Sequence, residues 1–285
     1  MLIFQDIANT ISLAYIAGFL IAIGLALYFI KPAWGKVIGA LVVTGGFAYP
    51  ILATVIPEQR AMKERIAFSN EAWNYFRKKC DDESGVKIQK TFSGVKSVLI
   101  LKPLPQAGPG DLNDQYWYGD PYSSTSWGED RSISAALKFV VMTNENGEKT
   151  RDGFEFVEMK REDGTAVRYQ RLFNRLSPPN FRLEDIQSPT SKFGITWEDI
   201  SKPDDRKYWV AGSRLRIIDL TDNSVVVERV GFLIESGFGS HAGGRRPWST
   251  ASFRENTSCP RTHDMADRQL VLKVLQPLGE NQNGK

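Results

Sequence analysis

The sequence predicts two N-terminal transmembrane helices followed by an α+β soluble domain dominated by antiparallel β-sheet. Three observations support this fold class. Two uncharged runs of 20 residues each lie near the N-terminus. Charged residues become frequent only from Glu58 onward. The remaining chain carries short β-branched and alternating runs separated by turn signals, with no regular alternation of strands and helices.

The two uncharged runs cover residues 11–30 and 37–56. A helix of that length spans roughly 30 Å, the thickness of the hydrocarbon core of a bilayer. The six-residue link between the runs predicts a transmembrane hairpin over residues 1–56, with membrane lipid as its surroundings. No Lys or Arg precedes Lys31, so the basic start of a cleaved signal peptide is missing.

The distribution of positive charge predicts the orientation in the membrane. Lys31 and Lys36 follow the first run, and the positive-inside rule places them in the cytoplasm. The N-terminus and the large C-terminal domain would then lie outside, in the periplasm of a bacterial inner membrane. Arg60, Lys63 and Arg65 follow the second run and argue for the opposite orientation. We give the first helix more weight because it usually determines topology.

The chain contains two cysteines, Cys80 and Cys259. An even number of cysteines suits one disulfide in an oxidising compartment, and two unrelated buried thiols are the alternative. Neither cysteine stands in the spacing of a zinc site, so no metal and no other cofactor is expected.

After the hairpin, residues 57–80 are predicted to form an amphipathic connecting helix, with Pro57 ending the membrane helix before it. Its apolar stripe either packs on the domain or lies on lipid headgroups. Residues 81–276 form the soluble domain, and residues 277–285 a disordered tail. Strands are predicted at 86–91, 95–102, 132–142, 154–160, 165–173, 207–212, 214–220, 224–236 and 269–276.

Two pairs of these strands have hairpin signals: 154–160 with 165–173, and 207–220 with 224–236. Residues 174–206 contain several prolines and are predicted to be mostly loop, with a short helix near Trp197 to Ile200.

A long loop at 103–131 is the first candidate site, because tyrosine and tryptophan are frequent at binding hot spots. The alternative is an ordered loop whose aromatic side chains fill its own interior. The predicted partner-binding residues in this loop are Asp114, Tyr116, Trp117, Tyr118, Asp120, Tyr122 and Trp127.

The glycine-rich segment 236–249 is the second candidate site. It lacks the spacing of a phosphate-binding P-loop. Arg245 and Arg246 could bind a carboxylate, a phosphate or anionic lipid. The alternative is a mobile hairpin tip with solvated charges.

Enzymatic and nucleic-acid functions are not favoured. The only histidines are His241 and His263, and His263 with Asp264 could form a general base and its orienting group. No G-x-S-x-G or H-E-x-x-H motif is present. From Glu58 onward the chain has 34 basic and 32 acidic residues, so a nucleic-acid backbone would meet little net positive charge.

Several segments from about residue 80 to 275 resemble an uncharacterised family of proteobacterial cell-envelope proteins, mostly lipoproteins or single-anchor proteins. These segments are Cys80, GVKIQKT (85–91), VKSVLILK (95–102), DQYWYGDPY (114–122), FGITWEDIS (193–201), DRKYWVAGSRLRIIDL (205–220), ERVGFLIESG (228–237) and Cys259-Pro260. The resemblance implies an envelope location and a bond between the two cysteines. Proteins of this kind are often envelope accessories or immunity proteins against secreted toxins.

The sequence therefore predicts an inner-membrane-anchored periplasmic binding protein without catalysis. It is expected either to neutralise a secreted toxin, which would be its protein partner, or to serve as an envelope accessory. An envelope hydrolase using His263 and Asp264 and a structural subunit of a membrane complex are the alternatives.

Overall fold

The computed structural model describes residues 2–102, 108, 110–119, 121, 136, 138–143, 149–161, 163–171, 181–251, 256–260 and 267–278. The chain divides into two compact units, Met1–Asn70 and Glu71–Lys285.

The first unit is helical. Helix α1 covers Leu2–Phe29, α2 covers Ala33–Pro50, and a π-helical turn at Ile51–Val55 leads into α3, Ile56–Glu83. The prediction that Pro57 ends the membrane helix is wrong, because Pro57 lies in the first turn of α3. The helical stretch continues past Pro57, and the π-helical turn Ile51–Val55 lies just before it; prolines and π-helical turns are both usual places for a local irregularity in a long helix.

Helices α1 and α2 pack as a hairpin. The ring of Phe47 lies 5.2 Å from that of Tyr15 and 5.4 Å from that of Phe19, measured between centroids. Toward the link, Gly39 allows close approach, since a Cβ added there would lie 2.5 Å from Ile30 Cδ1. A small residue at such a contact is typical of helices that pack closely.

Among the described residues, one continuous helical stretch, Ala33–Glu83, is long and apolar enough to cross a membrane. A shorter apolar helix covers Leu13–Phe29. None of the residues of α2 whose side chains are described is buried. The first unit is thus a helical segment that exposes apolar side chains.

The second unit is built on β-strands. The strands are β1 (Gly85–Ile88), β2 (Phe92–Val95), β3 (Ser97–Ile100), β4 (Met142–Thr143), β5 (Lys149–Arg151), β6 (Phe156–Lys160), β7 (Ala166–Arg171), β8 (Phe181–Ile186), β9 (Phe193–Asp199), β10 (Val210–Asp219), β11 (Ser224–Ile234), β12 (Ser258–Cys259) and β13 (Leu275–Pro277). The short helices are α4 (Pro203–Lys207), α5 (Pro247–Thr250) and α6 (Asp267–Val274).

In the described part of the chain, nine strands form one sheet in the order β1-β11-β10-β9-β3-β6-β7-β8, with β12 paired to β11. The sheet is mixed rather than purely antiparallel, because β3 runs parallel to both β6 and β9. All four residues of β3 are buried. Such a fully buried strand, apolar from Val98 to Ile100, is typical of parallel pairing.

Both predicted hairpins are present, as β6–β7 and β10–β11. Three other predictions are wrong. Residues 269–276 lie mostly in helix α6, whose buried Leu270, Val271 and Val274 share one helical face. The segment 174–206 contains strands β8 and β9, and Trp197 lies in β9 rather than in a short helix. Within 132–142, Ala136 is helical and Val140 makes only an isolated bridge.

The main hydrophobic core lies against the sheet. It includes Ile100, Phe139, Trp197, Leu215 and Val271, all with little or no exposure to solvent. Helix α6 covers this core with its apolar face. Burial of such side chains is the principal stabilising contribution to the domain.

A buried carboxylate connects β6 to the segment that leads into β9. Glu158 is fully buried and accepts hydrogen bonds from the backbone N–H and side-chain hydroxyl groups of Thr190 and Ser191, each 2.8 Å long. Arg168 Nη2 lies 2.9 Å from its Oε1. Burial alone would raise the pKa of Glu158, but the hydrogen bonds from Arg168, Ser191 and Thr190 outweigh it and hold that pKa below its usual value.

A second carboxylate, nearly buried, fixes helix α6. Asp267, in its first turn, accepts hydrogen bonds from Arg229 at 2.6 Å and from the indole N–H of Trp197 at 2.8 Å. Lys138 Nζ lies 3.6 Å away. Burial by itself would raise the pKa of Asp267. The positive charges of Arg229 and Lys138 have the larger effect, so the pKa lies below its usual value. A negative charge at a helix N-terminus is also favourable.

The end of α3 is bonded to the sheet. Cys80 in α3 and Cys259 in β12 form a disulfide with a Cα–Cα distance of 5.8 Å. Beside it, Tyr75 donates a 2.6 Å hydrogen bond to Asp205, and Lys79 Nζ lies 3.3 Å from the same carboxylate. The bond closes a loop with a sequence separation of 179, which corresponds to about 5 kcal/mol in the chain-entropy model.

We predict that Glu158→Gln destabilises the domain by about 3 kcal/mol at pH 7, because Arg168 loses its charged partner. The folded pKa of Glu158 lies below the unfolded value of about 4.3. Its stabilising effect is therefore present above that pH and is lost as the pH falls through the folded pKa. The free energies of unfolding of wild type and Glu158→Gln, measured with urea at a series of pH values, should become equal below about pH 4.

Glu155→Gln is the matched control, because the Glu155 side chain is exposed and pairs at 3.6 Å with exposed Lys96. It should change the free energy of unfolding by less than about 1 kcal/mol. If the difference in the free energy of unfolding between wild type and Glu158→Gln did not decrease at acidic pH, the stabilising role of the ionised Glu158 would be contradicted.

Candidate functional site

The described part of the aromatic loop begins with a 3-10 turn at Asp111–Asn113. Leu112 at its centre is fully buried. The Asp114 carboxylate then accepts the backbone N–H of Tyr116 at 2.9 Å. This local bond is the usual way in which an aspartate fixes a turn. Residues 111–118 therefore have a defined backbone path.

Three hydrogen bonds from two side chains connect this loop to distant parts of the domain. Gln115 Nε2 donates to the carbonyl oxygens of Arg206, at 2.8 Å, and Lys207, at 3.0 Å. Both acceptors lie at the C-terminal end of α4, where helix carbonyls have no partner within the helix. The indole N–H of Trp248 in α5 donates to the Asp114 carbonyl at 2.8 Å.

Beneath the loop lies a second hydrophobic cluster, which we call the aromatic cluster. Two of its rings pack against each other, with the centroids of Trp209 and Trp248 5.4 Å apart. The fully buried guanidinium of Arg206 lies 5.1 Å from the centroid of a Trp248 ring and pairs with Asp199 at 2.5 Å. The cluster comprises buried Leu112, Trp209, Ala211, Leu233, Trp248 and Ala251, with partly buried Trp117 and Phe238 packed against them.

A buried carboxylate shapes the glycine-rich turn beside this cluster. Glu235 is fully buried and accepts the backbone N–H groups of Gly237 and Gly239, each at 2.9 Å. Arg245 also bonds to this carboxylate. The acidic side chain thus holds together a turn that would otherwise leave two partly buried donors without this acceptor.

The backbone at this turn is strained. Phe238 has φ 49° and Trp209 has φ 56°, both in the left-handed region that non-glycine residues rarely adopt. Gly239, at φ 77°, needs to be glycine for a second reason: a Cβ would lie 2.3 Å from Trp209 Cζ2. Backbone strain of this kind persists only where the surrounding packing imposes it, and it is frequent at functional sites.

The outer surface of the loop carries two exposed rings. Tyr116 is 46% exposed and Tyr118 is 62% exposed. Both belong to a segment that is hydrogen-bonded to α4 through the Gln115 side chain and to α5 through the Asp114 carbonyl. Tyrosine on a rigid backbone offers contact area at little cost in conformational entropy. We call Tyr116, Tyr118 and the loop that carries them the tyrosine surface.

The structure unites the two candidate sites that the sequence presents separately. The hydrogen bond from Trp248 to Asp114 brings the aromatic loop beside the segment that carries Arg245 and Arg246. The predicted residues differ in role. Asp114 organises the loop, Trp117 is partly buried in the aromatic cluster, and Arg245 is paired with Glu235.

The remaining predicted residues, Asp120, Tyr122, Trp127, His263 and Asp264, lie outside the described residues. Partner binding at the predicted residues therefore stays a prediction. Within the described residues, no group of three or more His, Cys, Asp or Glu side chains could hold a metal ion.

Sequence reasoning missed the residues that organise this site, chiefly Gln115, Arg206, Trp209, Glu235 and Trp248. One signal was present for Glu235. It precedes glycines at 237 and 239, a spacing that presents backbone N–H groups to an anion. The partners of Gln115 and Trp248 are more than 90 residues away in sequence, and no local pattern reveals such contacts.

No protein-family model, curated protein or solved structure matches this chain. A functional assignment therefore rests on the residues of the aromatic cluster and the tyrosine surface.

We predict that Trp248→Phe releases the aromatic loop. The ring remains apolar, but the Asp114 carbonyl loses the indole donor and keeps only the backbone N–H of Trp117, which should cost about 1 kcal/mol. Hydrogen exchange should become faster in residues 111–118. Tyr118→Phe is the control, because that ring is exposed, and it should leave exchange unchanged. Unaltered exchange in Trp248→Phe would show that the bond does not order the loop.

Proposed function

We propose that this chain is a membrane-anchored binding protein without catalysis, whose Glu71–Lys285 domain lies outside the cytoplasm. The tyrosine surface would bind a protein partner. The observation that carries the proposal is the exposure of Tyr116 and Tyr118 on a backbone held at both Asp114 and Gln115.

A loop that is ordered before binding lowers the cost of forming an interface. Exposed aromatic rings contribute most of the energy of many protein interfaces, and ordering a mobile loop reduces that gain. Here Gln115 and Trp248 have already ordered the loop within the folded domain. A partner that covers Tyr116 and Tyr118 would therefore meet a preorganised surface.

The anchoring part of the proposal rests on the first unit. We propose that both apolar runs, 11–30 and 37–56, cross the membrane and return the chain to the side on which it began. The exposed apolar side chains of α2 and the length of the Ala33–Glu83 stretch support this arrangement. The Cys80–Cys259 disulfide supports an oxidising compartment, such as the bacterial periplasm.

The sequence resemblance supplies the expected biological role. Immunity to a secreted protein toxin would require a binding surface that faces the compartment the toxin enters. The proposed position of the tyrosine surface meets that requirement.

The test uses a photo-crosslinking amino acid in place of Tyr118 in the full chain in intact cells. We expect a discrete adduct with one partner, identified by mass spectrometry. Incorporation at Ile88 in β1, which is 39% exposed, is the control and should not give that adduct. The same adducts from both positions, or none from Tyr118, would contradict the proposal.

With the partner identified, Tyr116→Ala combined with Tyr118→Ala should weaken its binding at least tenfold. Because both rings are exposed, the free energy of unfolding should change by less than about 1 kcal/mol. Undiminished affinity in the folded double variant would exclude the tyrosine surface as the interface.

A further inference from the structure

Among the described strands, β8 ends the large sheet, and one of its edges has no strand paired to it. It pairs with β7 from Ala166↔Ile186 to Arg171↔Phe181. None of the described residues makes a hydrogen bond to the opposite edge of β8. Such an edge exposes backbone N–H and C=O groups that can pair with another strand.

The side chains of β8 continue two rows that cross the sheet. The first is apolar: Val157 in β6 lies opposite Tyr169 in β7, which lies opposite Leu183. Val157 and Tyr169 are buried, whereas Leu183 is 52% exposed. Within the described sheet, the row therefore ends at β8 with a half-exposed apolar side chain.

The second row alternates in charge. Glu158 in β6 lies opposite Arg168 in β7, which lies opposite Glu184. Arg168 is within 4 Å of both carboxylates, at 2.9 Å from Glu158 and 3.6 Å from Glu184. The next position outward would be suited to a positive charge.

We propose that β8 pairs antiparallel with β8 of a second copy of this chain. A two-fold axis perpendicular to the sheet requires one residue to lie opposite its own copy. With Leu183 on that axis, the two leucines face each other and Arg182 lies opposite Glu184 of the second copy. Both rows then continue across the interface. In the apolar row Leu183 lies beside Leu183 of the second copy, and in the charged row Glu184 lies beside Arg182 of the second copy.

Each alternative register is less favourable. With Arg182, Glu184 or Asp185 on the axis, two like charges would be directly opposite, which destabilises a strand pair. With Phe181 or Ile186 on the axis, no other residue of β8 would lie opposite a residue of the second β8. The other edge of the sheet, β1, offers Lys87 as its one charged residue and cannot make such complementary pairs. Charge complementarity thus selects both β8 and the Leu183 register.

We expect the pairing of five residues from each copy to bury less than the roughly 1,200 Å² of a stable complex, and the association to be weak. Covalent trapping in the membranes of producing cells is therefore the appropriate test. Leu183→Cys introduces one thiol in addition to the disulfide-bonded pair. Across the axis the two Cα atoms would be about 4.5–5.5 Å apart, within the range for a disulfide.

Mild oxidation should convert the Leu183→Cys chain to a covalent dimer. Asp185→Cys is the matched control, because its two copies would lie four residues apart along the strands, about 13 Å. It should not be trapped, although its thiol should react with maleimide. Equal trapping of both variants, or none of Leu183→Cys, would overturn the proposal.

Charge reversal tests the register. In the Leu183→Cys background, Arg182→Glu places two acidic residues opposite each other and should lower the dimer yield about tenfold. Glu184→Arg should do the same with two basic residues. Chains carrying the two different reversals, produced together with distinct tags, should recover the yield as mixed dimers.

Recovery in the mixture also shows that both variants are folded. A yield that Arg182→Glu leaves unchanged, or a mixture that does not recover, would exclude this interface. The outcome is independent of partner binding, because the tyrosine surface does not include β8.

Discussion

The disulfide between Cys80 and Cys259 is the constraint on which the rest of the domain depends. It joins the last turns of α3 to β12, and β12 pairs with β11 in the large sheet. The contacts of Tyr75 and Lys79 with Asp205 extend the same attachment to α4. Helix α4 in turn holds Gln115 through its terminal carbonyls. One covalent bond therefore begins a chain of contacts that leads to the tyrosine surface.

Three of the buried or nearly buried carboxylates in the described part of the chain each organise a separate place in the interior. Glu158, Asp267 and Glu235 are each removed from solvent or nearly so, and each has an arginine partner and further hydrogen-bond donors. A buried carboxylate is tolerated only when its acceptor oxygens are satisfied in this way. Each one also fixes an element that the apolar core alone would not orient: the approach to β9, the start of α6, and the glycine-rich turn.

Much of the strand content could be predicted from sequence, because alternation and turn residues are local signals. The β6–β7 and β10–β11 hairpins follow from them, and the disulfide could be expected from two cysteines. Helix α6 could not, since the sequence QLVLKVLQ also fits a strand. The parallel pairing of β3 and the contact of Trp248 with Asp114 depend on chain segments far apart, so no local pattern encodes them. The sequence therefore indicated both candidate segments, 103–131 and 236–249, but not that they contact each other.

Thiol labelling in intact cells tests the central claim most directly, namely that the disulfide-bonded domain lies outside the cytoplasm. The full chain would be treated with a membrane-impermeant maleimide, with and without an impermeant reductant. Cys259→Ser, which leaves the Cys80 thiol unbonded, is the control for access. We predict labelling of the native chain only after reduction, in cells whose inner membrane is intact. Labelling that needs a broken inner membrane and no reductant would place the domain in the cytoplasm and contradict the account.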